Sequence, residues 1–222
     1  MNQLSRREQN RLEKQQRILS AALKVFAQTG YPGASMDAIA AEAGLTKPTL
    51  YKHFASKEAL FAAVLAVPLD VMMLAFDTTT DKGLVAHLHE FAWSYAETVM
   101  RPEFLSLARL TIGEAHRFPN IGRDYQESGP DKVLAGLMAF MNDQRELGRL
   151  TFEDAELAAQ DFWGLILSAP RNRALHVPTE RTDSATLARY INNGISTFLR
   201  AYSTDPALDL HTLSVILARE GL

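Results

Sequence analysis

The chain has 222 residues, of which 47% are hydrophobic, and its formal net charge is −3. This length allows one large domain or two small ones, and the apolar fraction is sufficient for a sizeable core. Cysteine is absent, which excludes disulfides and thiolate metal sites and fits a reducing compartment. No apolar run approaches the roughly 18 residues that a membrane span needs, and the polar, charged N-terminus is unlike a secretory signal. We therefore expect a cytoplasmic protein.

The charge is distributed unevenly along the chain. Residues 1–57 contain nine Lys or Arg and four Asp or Glu, a net charge of +5, whereas the remainder carries −8. A basic N-terminal quarter on an acidic body indicates a nucleic-acid partner at that end. On charge alone, chance variation in solvated surface charge is an equal alternative.

The first predicted helix covers about residues 10–29. The polar residues before it, which include Arg6 and Arg7, are expected to be disordered in the free protein. An apolar stripe from Ile18 to Phe26 marks the buried face of the helix. Gly30 then supplies a C-cap and a turn follows.

Two short helices joined by a tight turn are predicted over residues 35–54. Ser35 can cap the first of them by accepting a backbone N–H, and Gly44 supplies the left-handed residue that commonly follows a helix. Thr46 is the predicted N-cap of the second helix. Pro48 falls in its first turn, where the missing N–H of proline is tolerated.

The second of these short helices has an inner and an outer face. Leu50 and Phe54 are four residues apart and can bury against the first short helix. The side chains that then point mostly outward are those of Lys47, Thr49, Lys52 and His53. An outer face of cations and small hydroxyls suits phosphates and base edges.

A further helix is predicted after Ser56, whose hydroxyl can cap it. We expect a kink or break at Pro68 and a polar loop from Asp77 to Gly83. The rest of the chain has helical periodicity and no alternating strand pattern. The remaining predicted helices cover about residues 83–100, 102–118, 130–148, 151–168 and 184–202, with a loop at 170–178 and a last helix near the C-terminus.

Residues 35–60 contain a motif in which many residues stand at fixed spacings from one another. Its members are Ser35, Ile39-Ala40, Ala43-Gly44, Thr46 and the string from Tyr51 to Leu60. This pattern resembles the DNA-binding module of the TetR/AcrR family of bacterial repressors. The resemblance implies a helix-turn-helix that binds operator DNA, and the alternative is an ordinary helical hairpin within a bundle.

A second resemblance covers Pro102 to about Leu167. The string from Leu107 to Leu137 resembles the C-terminal domain of the AefR-like subset of TetR regulators. Together the two resemblances imply an all-α fold, with an N-terminal three-helix helix-turn-helix DNA-binding head and a helical-bundle domain for ligand binding and dimerisation. We expect an arm and DNA-binding domain at 1–57 and an effector-binding and dimerisation domain at 58–222. The homodimer would form through helices near 154–168 and 184–202.

The first resemblance implies DNA contacts in and around the second short helix, the recognition helix. Its N-terminal end would contact bases in the major groove. At the other positions that match the motif, family members bind DNA phosphates. The predicted DNA-binding residues are Ser35, Thr46, Lys47, Pro48, Thr49, Tyr51, Lys52, His53 and Lys57.

The second resemblance implies an effector cavity in the body. Aromatic walls with a few polar groups suit small organic ligands, although a bulky apolar stripe is more often plain core. The candidate lining residues are His89, Trp93, Phe104, Leu107, Thr111, Phe140, Met141, Gln160 and Trp163.

Other chemistry is not indicated by the sequence. His87 and His89 are two positions apart on a helix, so they do not share a face and cannot chelate a metal as a pair. We find no phosphate-cradling glycine loop and no nucleophile elbow. We therefore predict no metal, no cofactor and no enzymatic activity.

These inferences converge on a homodimeric, ligand-responsive, sequence-specific transcriptional regulator. We predict a repressor that a small apolar or aromatic effector releases from double-stranded operator DNA, with an activator left open. The alternative is a DNA-anchored protein-interaction module that has no small-molecule ligand.

Overall fold

The computed structural model describes residues 6–64 and 82–220. Regular structure among these residues is helical, apart from an antiparallel bridge between Leu150 and Ser203, and the all-α prediction is confirmed. The helices are α1 (Arg6–Gly33), α2 (Met36–Glu42), α3 (Lys47–His53), α4 (57–64, where the first described range ends), α5 (Leu84–Val99), α6 (Pro102–Glu114), α7 (Pro119–Ser128), α8 (Pro130–Glu146), α9 (Ala155–His176), α10 (Ser184–Tyr202) and α11 (Pro206–Glu220).

The helices group into two compact units. The first contains the described residues of Met1–Val67 together with Pro102–Gly129, so α6 and α7 lie with α1–α4. The second contains those of Pro68–Arg101 and Pro130–Leu222, which include α5 and α8–α11. The functional boundary at residue 57 stays a prediction.

Helix α1 begins earlier than the sequence indicates and is interrupted where the sequence indicates. It starts at Arg6 rather than near Asn10, and the backbone of Gly30 leaves the helical region with φ 73° and ψ 166°. Only glycine adopts such a positive φ readily. The break therefore ends the long first helix at the predicted residue.

The core of the first unit is built from every one of its helices. Phe26 of α1 contacts Phe61 of α4 edge to face, with ring centroids 5.1 Å apart. Leu107 of α6 is fully buried in the same cluster, and Ile121 of α7 is buried there too. Helices α6 and α7 thus close the apolar surface that α1–α4 leave open.

Helix α7 was not predicted. The predicted helix at 102–118 ends at Glu114, and a new helix begins at Pro119, which occupies the first turn. Ile121 is the only residue of α7 that is buried. A ten-residue helix with one buried side chain offers too few apolar repeats to be recognised from the sequence alone.

The predicted loop at 170–178 is wrong, because α9 continues to His176. Pro170 lies inside the helix and is buried, as are Leu167 and Ala174 in the neighbouring turns. Burial of this face outweighs the backbone hydrogen bond that proline removes.

The start of α9 also differs from the prediction. The helix begins after Asp154, not after Thr151. The Asp154 carboxylate accepts hydrogen bonds from the backbone N–H groups of Glu156 and Leu157, at 2.8 and 3.2 Å. The N-cap of α9 is therefore Asp154, and the helix begins later than the predicted start near residue 151.

In the second unit, α9 and α10 approach each other closely. Gly194 of α10 lies against the backbone of Leu165 and Ile166 of α9. Phe162 and Phe198 meet edge to face, with ring centroids 5.1 Å apart. A side chain larger than glycine has no room at position 194, so this glycine sets the distance between the two helices.

The predictions for residues 1–5, for Pro68 and for the loop from Asp77 to residue 81 lie outside the described residues. In the described ranges, no helix combines the length and the apolar character that crossing a membrane requires.

Candidate nucleic-acid interface

The turn between α2 and α3 is held by local contacts. Ser35 caps α2, since its Oγ accepts a hydrogen bond from the backbone N–H of Ala38 at 3.1 Å. Gly44 has a φ of 64°, the left-handed conformation predicted for it. Arg17 of α1 donates from Nη2 to the carbonyl of Ala43 at 2.7 Å. The predicted caps at Ser35 and Gly44 are therefore confirmed, and Arg17 adds a contact from α1.

Helix α3 has the two faces that the sequence predicts. Leu50 is fully buried, and Phe54 just beyond the helix is 8% exposed. On the opposite face Lys47, Pro48, Tyr51 and Lys52 are exposed, and Thr49 and His53 are partly so. The buried pair fixes α3 on the core and leaves its cationic face exposed to solvent.

Two polar pairs order the N-terminal end of α3. Thr46 occupies the N-cap position, but its hydroxyl makes no capping hydrogen bond and lies 2.8 Å from Oγ1 of Thr49 instead. The ammonium of Lys47 lies 2.9 Å from Oδ1 of Asp37. The hydrogen bond with this carboxylate raises the pKa of Lys47.

Lys57, at the start of α4, is engaged within the first unit. Its Nζ donates to the carbonyls of Tyr31 and Ala34, at 2.9 and 3.1 Å, and lies 4.4 Å from the centroid of the Tyr31 ring. The Tyr31 hydroxyl in turn donates to Oε1 of Glu58 at 3.0 Å. Burial and this hydrogen bond both raise the pKa of Tyr31. The cluster ties the end of α1 and the start of α2 to the start of α4.

A second exposed ion pair lies on the same unit. Lys24 of α1 and Glu42 of α2 are joined at 2.6 Å between Nζ and Oε1. They border an open cleft of about 340 Å³ that is also lined by Arg17 and Gly44.

Sequence reasoning missed Asp37 and Arg17. Asp37 lies ten positions before Lys47, and Arg17 lies 26 positions before Ala43. Neither spacing carries a periodic signal within one helix, so the fold is needed to bring each pair together.

The candidate effector residues fall in both units. Phe104, Leu107 and Thr111 belong to α6, in the first unit. Leu107 is part of the apolar core there, and Phe104 packs against that core. The Thr111 hydroxyl donates to the carbonyl of Leu107 at 2.9 Å, within its own helix.

The other six candidates lie in the second unit. Trp93 donates from Nε1 to Nε2 of the buried His89 at 3.1 Å. Trp163 meets the ring of Tyr95 edge to face. Gln160 is exposed and donates to Glu156 on its own helix at 3.0 Å. The remaining two candidates, Phe140 and Met141 of α8, are buried.

In the described part of the chain, no three His, Cys, Asp or Glu side chains form a group that could hold a metal ion. The outer face of α3 carries most of the predicted DNA-binding side chains, and it is exposed or partly exposed.

Two family models match the chain. Residues 18–64 match the model of bacterial regulatory proteins of the tetR family. Residues 86–204 match the model of the C-terminal domain of AefR-like transcriptional repressors. The first match covers the helix-turn-helix, and the second covers more than half of the chain.

Curated relatives carry the names of transcriptional regulators. The chain is 46% identical over 79 residues to the HTH-type transcriptional activator FasR of Mycolicibacterium smegmatis, which covers 32% of this chain and 36% of that protein. It is 34% identical over 100 residues to the HTH-type transcriptional regulator TtgW of Pseudomonas putida, covering 45% of this chain and 73% of that protein. These names describe regulators of transcription and not enzymes.

Solved structures resemble the chain over most of its length. A protein of Mesorhizobium loti assigned to the TetR family of transcriptional regulators is 32% identical, with a TM-score of 0.74 and coverage of 87% of this chain and 98% of that one. The flavonoid-responsive regulator FrrA is 30% identical, with a TM-score of 0.66 and coverage of 86% and 98%.

Proposed function

This chain belongs to the TetR family of bacterial regulatory proteins, and we propose that it is a ligand-responsive repressor that acts in the cytoplasm. The observation that carries the proposal is the exposed cationic face of α3, with Lys47 and Lys52 on it, in a segment whose net charge is +5. Such a face supplies both charge for phosphates and donors for base edges.

In the proposed complex, α3 enters the major groove of operator DNA. Lys47, Pro48 and Thr49 lie at its N-terminal end, where recognition helices contact base edges. Lys52 lies on the exposed side of the same helix. The remaining proposed contacts go to phosphates and come from Ser35, Thr46, Tyr51, His53 and Lys57.

The proposed active form is a homodimer formed through α9 and α10. Two copies of α3 spaced about 34–36 Å apart would read a pseudo-palindromic operator in successive major grooves. An effector that favours a different spacing would release the DNA. Coupling of about 1–3 kcal/mol changes affinity roughly 5- to 150-fold.

We propose a small apolar or aromatic effector. The second unit is rich in aromatic contacts, such as those of Phe91 with Phe162 and of Tyr95 with Trp163, and aromatic side chains suit planar organic ligands. FrrA, which resembles the chain over most of its length, is named as flavonoid-responsive. Flavonoids are therefore the first class of ligand to test.

The choice between repression and activation, which we call the sign of regulation, rests on the C-terminal match. The matched family model is described as that of a repressor, whereas FasR is named as an activator and matches 32% of this chain. The C-terminal domain receives the effector in the proposed mechanism, so we assign the sign of regulation by its resemblance.

DNA binding tests the proposal directly. We would measure the affinity of the full chain for a duplex from upstream of its own gene and for a random duplex of equal length, at several salt concentrations. We expect a preference of about a thousandfold or more for the upstream duplex. We also expect the affinity to fall steeply with salt, because bound lysines and arginines displace counterions.

A transcription assay with the same upstream DNA gives the sign of regulation, and addition of flavonoids tests release. Weak and equal binding to both duplexes, and to duplexes selected from a randomised library, would contradict site-specific regulation. A DNA-anchored interaction module would then explain the family membership better.

A further inference from the structure

An ion pair joins the two helices of the helix-turn-helix on their exposed side. Lys47 is the first residue of α3 and Asp37 is the second residue of α2. The lysine Nζ lies 2.9 Å from Oδ1 of Asp37 and 3.0 Å from Oδ2. The two side chains are 56% and 64% exposed. A carboxylate therefore stands at the surface that we propose to face DNA.

The stability of the fold gives little reason for this carboxylate. An exposed ion pair contributes little to stability, and Ser35 already caps α2 by accepting from Ala38. A carboxylate in the first turn of α2 adds only about 0.3–1 kcal/mol through the helix dipole. A negative charge close to phosphates opposes binding to every DNA sequence. The position of Asp37 therefore calls for a role in recognition.

The ion pair restricts what Lys47 can reach. A lysine ammonium is a compact charge on a flexible stem, so a free one can settle on any nearby phosphate. Such a contact strengthens binding to all sequences alike, because phosphates carry no sequence information. The bond to Asp37 holds the ammonium at the N-terminal end of α3, and recognition helices contact base edges with that end.

We propose that Asp37 is a specificity-determining residue, whose carboxylate keeps Lys47 off the phosphates and directs it to a base edge. The inference rests on the proposed function. The ammonium has three protons, so it can donate to O6 and N7 of a guanine while it stays beside Asp37. Where the base in that position lacks the paired O6 and N7 acceptors of guanine, the ammonium cannot make both bonds, and the carboxylate remains close to the duplex and repels it. Asp37 thus lowers the affinity for random DNA more than the affinity for the operator.

The same unit supplies a matched control. Lys24 and Glu42 form another exposed ion pair, 2.6 Å between Nζ and Oε1, which joins α1 to α2. Asp37→Asn and Glu42→Gln each remove one negative charge from beside a lysine, whereas Asp37→Glu keeps the charge. With each full-length variant we would measure affinity for a duplex selected from a randomised library and for a random duplex, at several salt concentrations. Thermal unfolding reports whether the variants remain folded.

The two charge-removing variants are expected to differ. Asp37→Asn should tighten binding to random DNA about tenfold more than Glu42→Gln does, and its salt dependence should steepen by about one unit per subunit, since each freed lysine neutralises one more phosphate. The ratio of selected to random affinity should fall about tenfold or more, as for a lost base contact. Glu42→Gln should change both affinities by the same factor, and Asp37→Glu should keep most of the ratio.

The inference and the proposed function fail in distinguishable ways. Equal effects of Asp37→Asn and Glu42→Gln on both duplexes and on both salt slopes would overturn the role of Asp37. If the wild-type chain binds selected and random duplexes equally, the proposed function fails, and the slopes on random DNA still decide whether Asp37 restrains Lys47.

Discussion

The ammonium of Lys57 stabilises the first unit. It bonds the carbonyls of Tyr31 and Ala34 and lies over the Tyr31 ring. Lys57→Met should lower the free energy of unfolding by about 1–3 kcal/mol, because two carbonyls lose a charged donor. Denaturation in urea measures the change. Lys52→Met makes the same substitution at an exposed position of α3 and should stay within about 0.5 kcal/mol.

The Lys57→Met variant also tests the phosphate contact that we propose for Lys57. If the residue also neutralises a phosphate, Lys57→Met lowers the salt slope of DNA binding by about 0.9 per subunit. An unfolding free energy equal to that of Lys52→Met would contradict the stabilising role.

Local chemistry made some residue-level features predictable. The sequence predicts the caps at Ser35 and Gly44 because each acts on backbone groups within its own turn. It does not predict the Asp37–Lys47 and Arg17–Ala43 contacts, because they join different helices. Side-chain partners across helices depend on how the helices pack, and periodicity contains no such information.

Helix positions were predictable where an apolar stripe is strong. Helix α10, which the sequence placed at 184–202, spans Ser184–Tyr202 in the structure. The sequence failed at α7, which buries only Ile121, and at the second half of α9, where the buried face overrides the proline at 170. In both cases tertiary packing, and not local propensity, decides the outcome.

The close approach of α9 and α10 gives a prediction at the level of helices. A Cβ at position 194 would lie 2.8 Å from the backbone carbonyl atoms of Leu165 and 2.9 Å from Cα of Ile166. Gly194→Ala should therefore force the helices apart and lower the free energy of unfolding by about 1–3 kcal/mol. Chemical denaturation followed by circular dichroism measures the change.

Gly113 provides the control for this substitution. It lies in α6, and a Cβ added there would meet no atom within 4 Å. Gly113→Ala should raise stability by up to about 1 kcal/mol, because alanine favours the helix. If Gly194→Ala were stabilising to the same extent, the contact at position 194 would not set the distance between α9 and α10.

At the scale of the whole molecule, the proposed homodimer can be tested with two equally exposed leucines. Leu157 of α9 and Leu208 of α11 are each 59% exposed. If α9 forms the dimer interface, Leu157→Glu buries an unpaired charge there and should weaken the dimer, whereas Leu208→Glu should not. Sedimentation equilibrium measures both dissociation constants. Dissociation caused only by Leu208→Glu would place the interface elsewhere.

The motif at residues 35–60 identified the family, and helical periodicity identified the fold class. The sequence did not reveal that α6 and α7 belong to the same compact unit as α1–α4. The motif ends near Leu60, whereas Leu107 and Ile121 enter the same core from more than forty residues later in the chain. Such distant packing leaves no mark in the spacing of a local motif.

The core that α6 and α7 share with α1–α4 determines which residues must be exchanged to transfer DNA preference between relatives. A chimera that carries only residues 18–64 of this chain would place its α1 and α4 against a foreign α6, without the side chains of Leu107 and Ile121 that complete the native cluster. Exchanging Pro102–Gly129 together with the N-terminal segment keeps that cluster intact. The transplantable module is thus discontinuous along the chain, although the motif that reads DNA is continuous.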